Sequence, residues 1–160
     1  MELVHHTLAP VFAPDSHTLI LGTMPSPKSR EAGFYYAHPQ NRFWPVLCAV
    51  FDEPLPAGSS GRAALALRHG LALWDVLASC SITGASDASI RNPVPNEIGQ
   101  LLAQSSIRRI FTTGAAATKL YRSLVEPQTG LPCVQLPSPS AANARMSFAT
   151  LVQAYTVLRQ

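Results

Sequence analysis

The chain has 160 residues, 47% of them hydrophobic and 13% charged, which fits one compact domain over 1–160 and excludes a disordered chain. A net charge of +3 tolerates a polyanionic partner, but the basic residues are too thinly spread for an arginine-rich arm. Cys48, Cys80 and Cys133 stand far apart with no CxxC or Cys/His pairing, so no structural metal is expected and the setting is a reduced, cytoplasmic one.

Neither a secretory leader nor an apolar run of membrane-spanning length is visible. Met1–Ser16 reads as an irregular lead-in, because Pro10 and Pro14 break any helix. Thr18-Leu19-Ile20-Leu21 is a short apolar run bounded by Gly22 and Pro25, the pattern of a buried strand. A long loop follows, carrying Pro25, Pro27, Pro39, the adjacent Tyr35 and Tyr36, His38 and Asn41. From Asn41 to Phe51 apolar residues recur at helical spacing, and Pro45 falls in the first turn, where a missing N–H costs little.

Asp52–Gly61 reads as a loop, Arg62–His69 as a short helix closed by Gly70, and Leu71–Leu77 as a second strand. Cys80–Pro95 is polar and serine-rich, the composition of a long loop. Asn96 is placed to cap a helix over Glu97–Gln104. Ile107–Thr112 is a third strand, turned by Gly114 into a helix over Ala115–Leu124, and Val134–Leu136 is a fourth. Ser147 is placed to cap a last helix whose apolar face is Phe148, Leu151, Val152, Tyr155 and Leu158.

Strands alternating with helices predict a three-layer α/β/α sandwich on a four-stranded, mainly parallel sheet. In such a sheet the strands' carboxyl ends share one edge, so the loops after Leu21, Leu77 and Leu136 are expected to converge on one cleft. No GxGxxG or P-loop follows the first strand, so no nucleotide cofactor is expected. The loops offer amides, hydroxyls, aromatics and main-chain N–H groups instead. That inventory suits cleavage of a bond whose leaving group is already good, such as the bond between a base and its sugar once the base is flipped out.

The loops GFYYAHPQNRFW and LPSPSAANAR resemble the two signature motifs of the uracil-DNA glycosylase superfamily. The first is similar to the AHP-x-NRFW of the mismatch-specific uracil/thymine branch. GTMPSPKS with YYAHPQN, LWDVLASC and SDASIRNPVPN most resembles the hypoxanthine-DNA (deoxyinosine) glycosylase branch. The resemblance implies a monofunctional, metal-free and cofactor-free DNA glycosylase of base excision repair, acting as a monomer on DNA with a deaminated base.

By the same resemblance the place of the usual catalytic Asp or Asn is Met24, and the catalytic role passes to Asn41. An amide carbonyl can orient a water toward the anomeric carbon when departure of the base leads. The implied base pocket is Gly22, Thr23, Met24, Tyr36, His38 and Thr113, with Tyr36 as the stacking ring and Thr113 where relatives often place a base-reading Asn. The implied DNA contacts are Ser26, Lys28, Ser138, Ser140, Ala142, Asn143 and Arg145. Relatives insert a bulky wedge at the place of Ala142; Asn143, Arg145 and Met146 are the substitutes.

Each residue also has a plainer reading. Asn41 stands where a helix begins and suits an N-cap, a role compatible with catalysis. Tyr35 competes with Tyr36 for the stack, and His38 suits a loop-bracing histidine. Ser138 and Ser140 suit a proline-stiffened turn; Ser26, Lys28 and Ser29 suit a solvated loop. Asp75 reads as structural, whereas Ser86, Asp87, Ser89, Arg91 and Asn92 form a polar cluster for the pocket or the DNA. Two other functions share this fold: a non-catalytic binder of damaged DNA, and a hydrolase of free nucleosides or nucleotides.

Overall fold

In the computed structural model, which describes residues 1–159, the apolar run forms strand β2 (Thr18–Gly22), buried at every position. A parallel strand covered on both faces needs such an unbroken run. β2 pairs in parallel with β3 (Leu71–Asp75) on one side and with β6 (Arg109–Thr113) on the other. β7 (Cys133–Leu136) pairs in parallel with β6, giving the order β3-β2-β6-β7. All four strands run the same way, so the sheet is wholly parallel.

Side-chain alternation along β2 divides the core. Ile20 faces α2 (Phe43–Phe51), α3 (Ser59–Arg68) and α7 (Phe148–Tyr155), through Phe43, Leu47, Leu65, Leu151 and Tyr155. Leu19 and Leu21 face α4 (Ile98–Ala103) and the turns after α5 (Ala115–Leu120), through Ile98, Leu101, Tyr121 and Val125. These are the three expected layers.

A second sheet was not foreseen. β1 (Glu2–His5) lies within the lead-in expected to be irregular, and pairs antiparallel with β4 (Leu77–Thr83). The stretch read as a loop is instead a hairpin of β4 and β5 (Ser86–Pro95). Its polar composition hid it, because most of β5 is exposed and offers no alternating apolar signal. The pairing of β4 with β5 shifts register repeatedly, and such irregularities re-aim a hairpin tip.

The strand expected over Leu71–Leu77 divides at Val76, where the chain leaves one sheet for the other. Asn96 holds that corner: its Nδ2 donates to the carbonyls of Asp75 and Leu77, both at 3.0 Å. Asn96 is therefore a latch, and Glu97 takes the position before α4.

Elsewhere the differences are smaller. α3 starts at Ser59, ahead of the expected Arg62. The helix after Gly114 passes into a π-helical turn at Tyr121–Val125 and then α6 (Glu126–Thr129). Pro127 near the start of α6 supplies no N–H to close an ordinary turn. Ser147 caps α7 as expected, accepting from the Thr150 N–H at 3.1 Å, but Phe148 is exposed and lies off the buried face.

Replacing Asn96 with Ala removes both corner bonds and leaves two carbonyls without their donor. A loss of about 1–3 kcal/mol is expected, read from the midpoint of a urea unfolding curve. A change below ~0.5 kcal/mol would show that the two sheets hold the corner without it.

Candidate active site

The parallel strands end together, and a cavity of about 160 Å³ opens beyond those ends. β2 and its exit loop contribute Gly22 to Ser26, the aromatic loop contributes Tyr35, Tyr36 and Asn41, and β3 contributes Asp75. Thr113 closes the far side, Ser138–Ser140 line one wall, and the hairpin tip supplies Gly84, Ala85 and Asp87. The convergence expected at the carboxyl edge is what the fold produces.

Gly22 makes this meeting possible. A Cβ there would stand 2.5 Å from Asp75 Oδ1, 3.3 Å from the Tyr36 hydroxyl and 3.6 Å from Thr113 Oγ1. Its backbone is ordinary β-strand, so the requirement is for close approach rather than for a special dihedral angle.

Tyr36 sits at φ 53°, a left-handed conformation that costs a bulky residue energy and persists only under constraint. Its ring stacks on Phe43 with centroids 3.8 Å apart and planes 14° from parallel. Its hydroxyl shares a 3.3 Å hydrogen bond with Thr113 Oγ1. The next residue is held as well, since the Ala37 N–H donates to Ser29 Oγ at 3.1 Å. Burial pushes the Tyr36 phenol well above its ordinary pKa, so it stays protonated and can donate.

Tyr35 is 3% exposed, and its hydroxyl donates to the carbonyl of Ala9 at 2.8 Å, tying down the lead-in. Tyr36 therefore offers the cavity an aromatic face, and Tyr35 is an anchor.

Asn41 Oδ1 accepts from the Phe43 N–H at 2.9 Å, and the Asn41 N–H donates to the carbonyl of His38 at 2.9 Å. Arg42 is the residue immediately before α2. The side chain of Asn41 thus braces the helix start while lining the cavity. A carbonyl with one donor already bound keeps a second lone pair for a ligand or water.

Asp75 is buried at the floor. Its Oδ2 lies 2.8 Å from His6 Nε2, with both side chains almost wholly enclosed. Burial pushes the Asp75 carboxyl up, and the bond to His6 opposes that rise. His6 follows the unforeseen strand β1, so the lead-in reaches the site through this pair. At the rim, Thr23 Oγ1 donates to Asp87 Oδ2 at 3.5 Å. Asp87 is exposed as a residue, yet its partly covered carboxyl is also pushed up, first by loss of water and then by the charge of Asp75.

The model of the Uracil DNA glycosylase superfamily matches residues 9–159. The chain belongs to that superfamily. Among curated relatives, a hypoxanthine DNA glycosylase of Methanosarcina acetivorans is 29% identical over 134 residues, covering 83% of this chain and 84% of that protein. A hypoxanthine DNA glycosylase of Methanosarcina barkeri is 27% identical over 137 residues, covering 85% and 86%. Among solved structures, the solution structure of a candidate uracil DNA glycosylase from Methanosarcina acetivorans superposes with a TM-score of 0.81. It is 24% identical, covering 99% of this chain and 100% of that one.

Measured against what the superfamily motifs imply, Gly22, Thr23, Met24, Ser26, Tyr36, Asn41, Thr113, Ser138 and Ser140 all line the cavity. His38 lies outside the lining, where its Nδ1 accepts from the Gln40 N–H at 3.1 Å and braces the loop. Lys28 also lies outside, exposed beside Glu31. Ser26 caps α1 (Pro27–Ala32), and Ser29 is a buried brace.

In the serine-proline loop, Ser138 Oγ and Ser140 Oγ accept from the main-chain N–H of residues 140 and 142, both at 3.2 Å. The turn reading of this loop therefore holds while both serines face the cavity. Asn143 Nδ2 donates to the Ser138 carbonyl at 3.0 Å, closing the loop, and Met146 packs on the core. Ala142 and Arg145 are exposed and lie outside the lining, and of the wedge candidates Arg145 has the longest exposed side chain.

Sequence reasoning gave Asp75 a structural role only and did not single out His6, because their pairing spans 69 positions.

Replacing His6 with Ala leaves a buried carboxyl without its partner. A loss of about 1–3 kcal/mol is expected, measured by chemical denaturation. A loss under ~1 kcal/mol would mean that Asp75 is kept by the cavity alone.

Proposed function

We propose that this chain is a monofunctional DNA glycosylase that hydrolyses the N-glycosidic bond of a deaminated base flipped out of DNA. Hypoxanthine is the first substrate, with uracil and xanthine behind it. The observation that carries the reading is a shared cavity: the stacked ring of Tyr36 and the amide of Asn41 line it together, with Ser138 and Ser140 beside them. The names of the two Methanosarcina relatives favour hypoxanthine. No helix among the described residues is long and apolar enough to cross a membrane.

In this mechanism the flipped base stacks on Tyr36 and the sugar lies toward Asn41. The bond from the anomeric carbon to the base breaks with its electron pair going to the base. The Thr113 hydroxyl, with main-chain N–H groups, stabilises the departing anion. The free lone pair of Asn41 Oδ1 accepts from a water and turns its oxygen toward the cationic sugar. As the water adds, its proton leaves to solvent or to the rim carboxylate of Asp87. No lysine among the proposed site residues forms a covalent intermediate, so the product is an abasic site with an uncut strand.

One observation favours a second reading. Met24 lines the cavity where most of the superfamily carries an acid or amide, as a protein that binds damage without cleaving would. Single-turnover base release separates the two, using matched duplexes that hold one hypoxanthine, uracil or xanthine. Release from the hypoxanthine duplex is expected, falling about 100-fold or more in Asn41→Ala with DNA affinity nearly unchanged. Binding of all three duplexes without release would establish the non-catalytic reading.

The exposed cations beside the cavity are few, so binding should respond weakly to salt. Each neutralised phosphate contributes ~0.9 to the slope of log K against log salt. A slope below ~5 is expected, from titrations of labelled duplex across salt concentrations. A slope implying ~10 contacts would reveal a basic surface away from this cavity.

A further inference from the structure

Arg42 ties the two signature loops together. Its main-chain N–H donates to the carbonyl of Pro139 at 3.0 Å. Its Nη1 donates to the Met146 carbonyl at 2.5 Å, and its Nη2 donates to Ser140 at 3.0 Å and Asn143 at 2.9 Å. The four acceptors run from one end of the late loop to the other.

The loop's other hydrogen bonds are local turns, from Ser140 to Ser138, Ala142 to Ser140, Asn143 to Ser138 and Ser140, and Met146 to Asn143. They shape the loop without attaching it to the body. Among the described residues, every hydrogen bond from Pro139–Met146 to a distant part of the chain goes to Arg42.

The other side of Arg42 is the catalytic side. Asn41 precedes it, and Phe43 follows it. The Phe43 N–H is the donor to Asn41 Oδ1, and the Phe43 ring backs Tyr36. A displacement of the late loop therefore passes through one residue to the amide and to the stacking platform. A planar guanidinium can hold several fixed carbonyls at once, whereas an ammonium is a point donor on a flexible stem. Arg42 Nε is enclosed without a partner, so three carbonyl bonds through Nη1 and Nη2 fix the group's position.

We propose that Arg42 is a positioning residue that couples the seating of the Pro139–Met146 loop on DNA to the placement of Asn41. The proposal rests on the glycosylase reading above. Its consequence is that loop grip and base release share one mechanical link. A loop that fails to seat leaves Asn41 and the Tyr36–Phe43 stack out of place.

The test measures two quantities in wild type, Arg42→Gln and Arg42→Lys. One is the single-turnover rate of hypoxanthine release at saturating duplex. The other is Kd for a duplex holding a tetrahydrofuran abasic analogue. Asn41→Ala provides the pattern of a rate defect alone.

Arg42→Gln is expected to lower the rate and weaken binding by 10-fold or more each. Arg42→Lys should recover part of both losses in parallel. A variant that changes only the rate or only Kd would overturn the coupling. So would a lowered melting temperature with rate and Kd both unchanged, which is what a purely structural arginine would give. If Arg42→Gln does not fold, Arg42→Lys decides by the same criterion. A wild type that releases no base overturns the glycosylase reading and the coupling together, whereas an active wild type with split effects overturns the coupling alone.

Discussion

The missing side chain at Gly22 is the constraint on which the site depends. It ends the central strand between β3 and β6, where Asp75 is its register partner. Any larger residue would push Asp75 Oδ1 and the Tyr36 hydroxyl apart. The bond between Tyr36 and Thr113 and the pair between Asp75 and His6 are both arranged around that gap. The cavity floor is therefore built by the ends of hydrogen-bonded strands, and the loops complete its walls. Groups held this way lose little freedom when a ligand arrives, which is the energetic benefit of preorganisation.

The aromatic loop is rigid for a different reason. Tyr36 lies on Phe43, Phe43 meets Trp44 edge-on, and Trp44 stacks on Phe34 at 5.6 Å. The indole N–H of Trp44 donates to the carbonyl of Tyr35 at 2.9 Å, inside the protein. This pile overdetermines the chain path and so maintains the left-handed backbone at Tyr36. Phe43 and Trp44 are core residues, as their helical spacing indicated, and they are also what aims the ring of Tyr36.

The parallel sheet was legible because its strands are short apolar runs, and its buried helices because their apolar faces recur at regular spacing. The aromatic loop and the serine-proline loop were legible as loops that meet at one cavity. The antiparallel sheet was not, because Glu2–His5 and Ser86–Pro95 are both mostly exposed and carry no alternating apolar face. Its existence is set by pairing with β4, a non-local fact that no local pattern carries. The same limit hid His6 and the latch at Asn96. Lys28 and His38 show the converse. Their motif positions suggested contact with DNA or the base, but an exposed ion pair on a helix and a local loop bond account for what they do in the free protein.

In the proposed reaction the chemistry does not depend on the residue type at Met24. It lines the cavity and packs against the apolar cluster beneath the sheet, so it serves as wall. The carboxyls that remain are poor substitutes at that place. Asp75 is committed to His6, and Asp87 stands on the rim. Asn41 has neither drawback: its carbonyl is aimed by the Phe43 N–H, and an amide needs no particular protonation state to orient water. When departure of the base leads and the sugar becomes cationic before attack, the nucleophile needs direction more than basicity. In the proposed reaction the fixed amide of Asn41 supplies that direction, and Arg42 beside it is bonded to the loop proposed to hold the DNA.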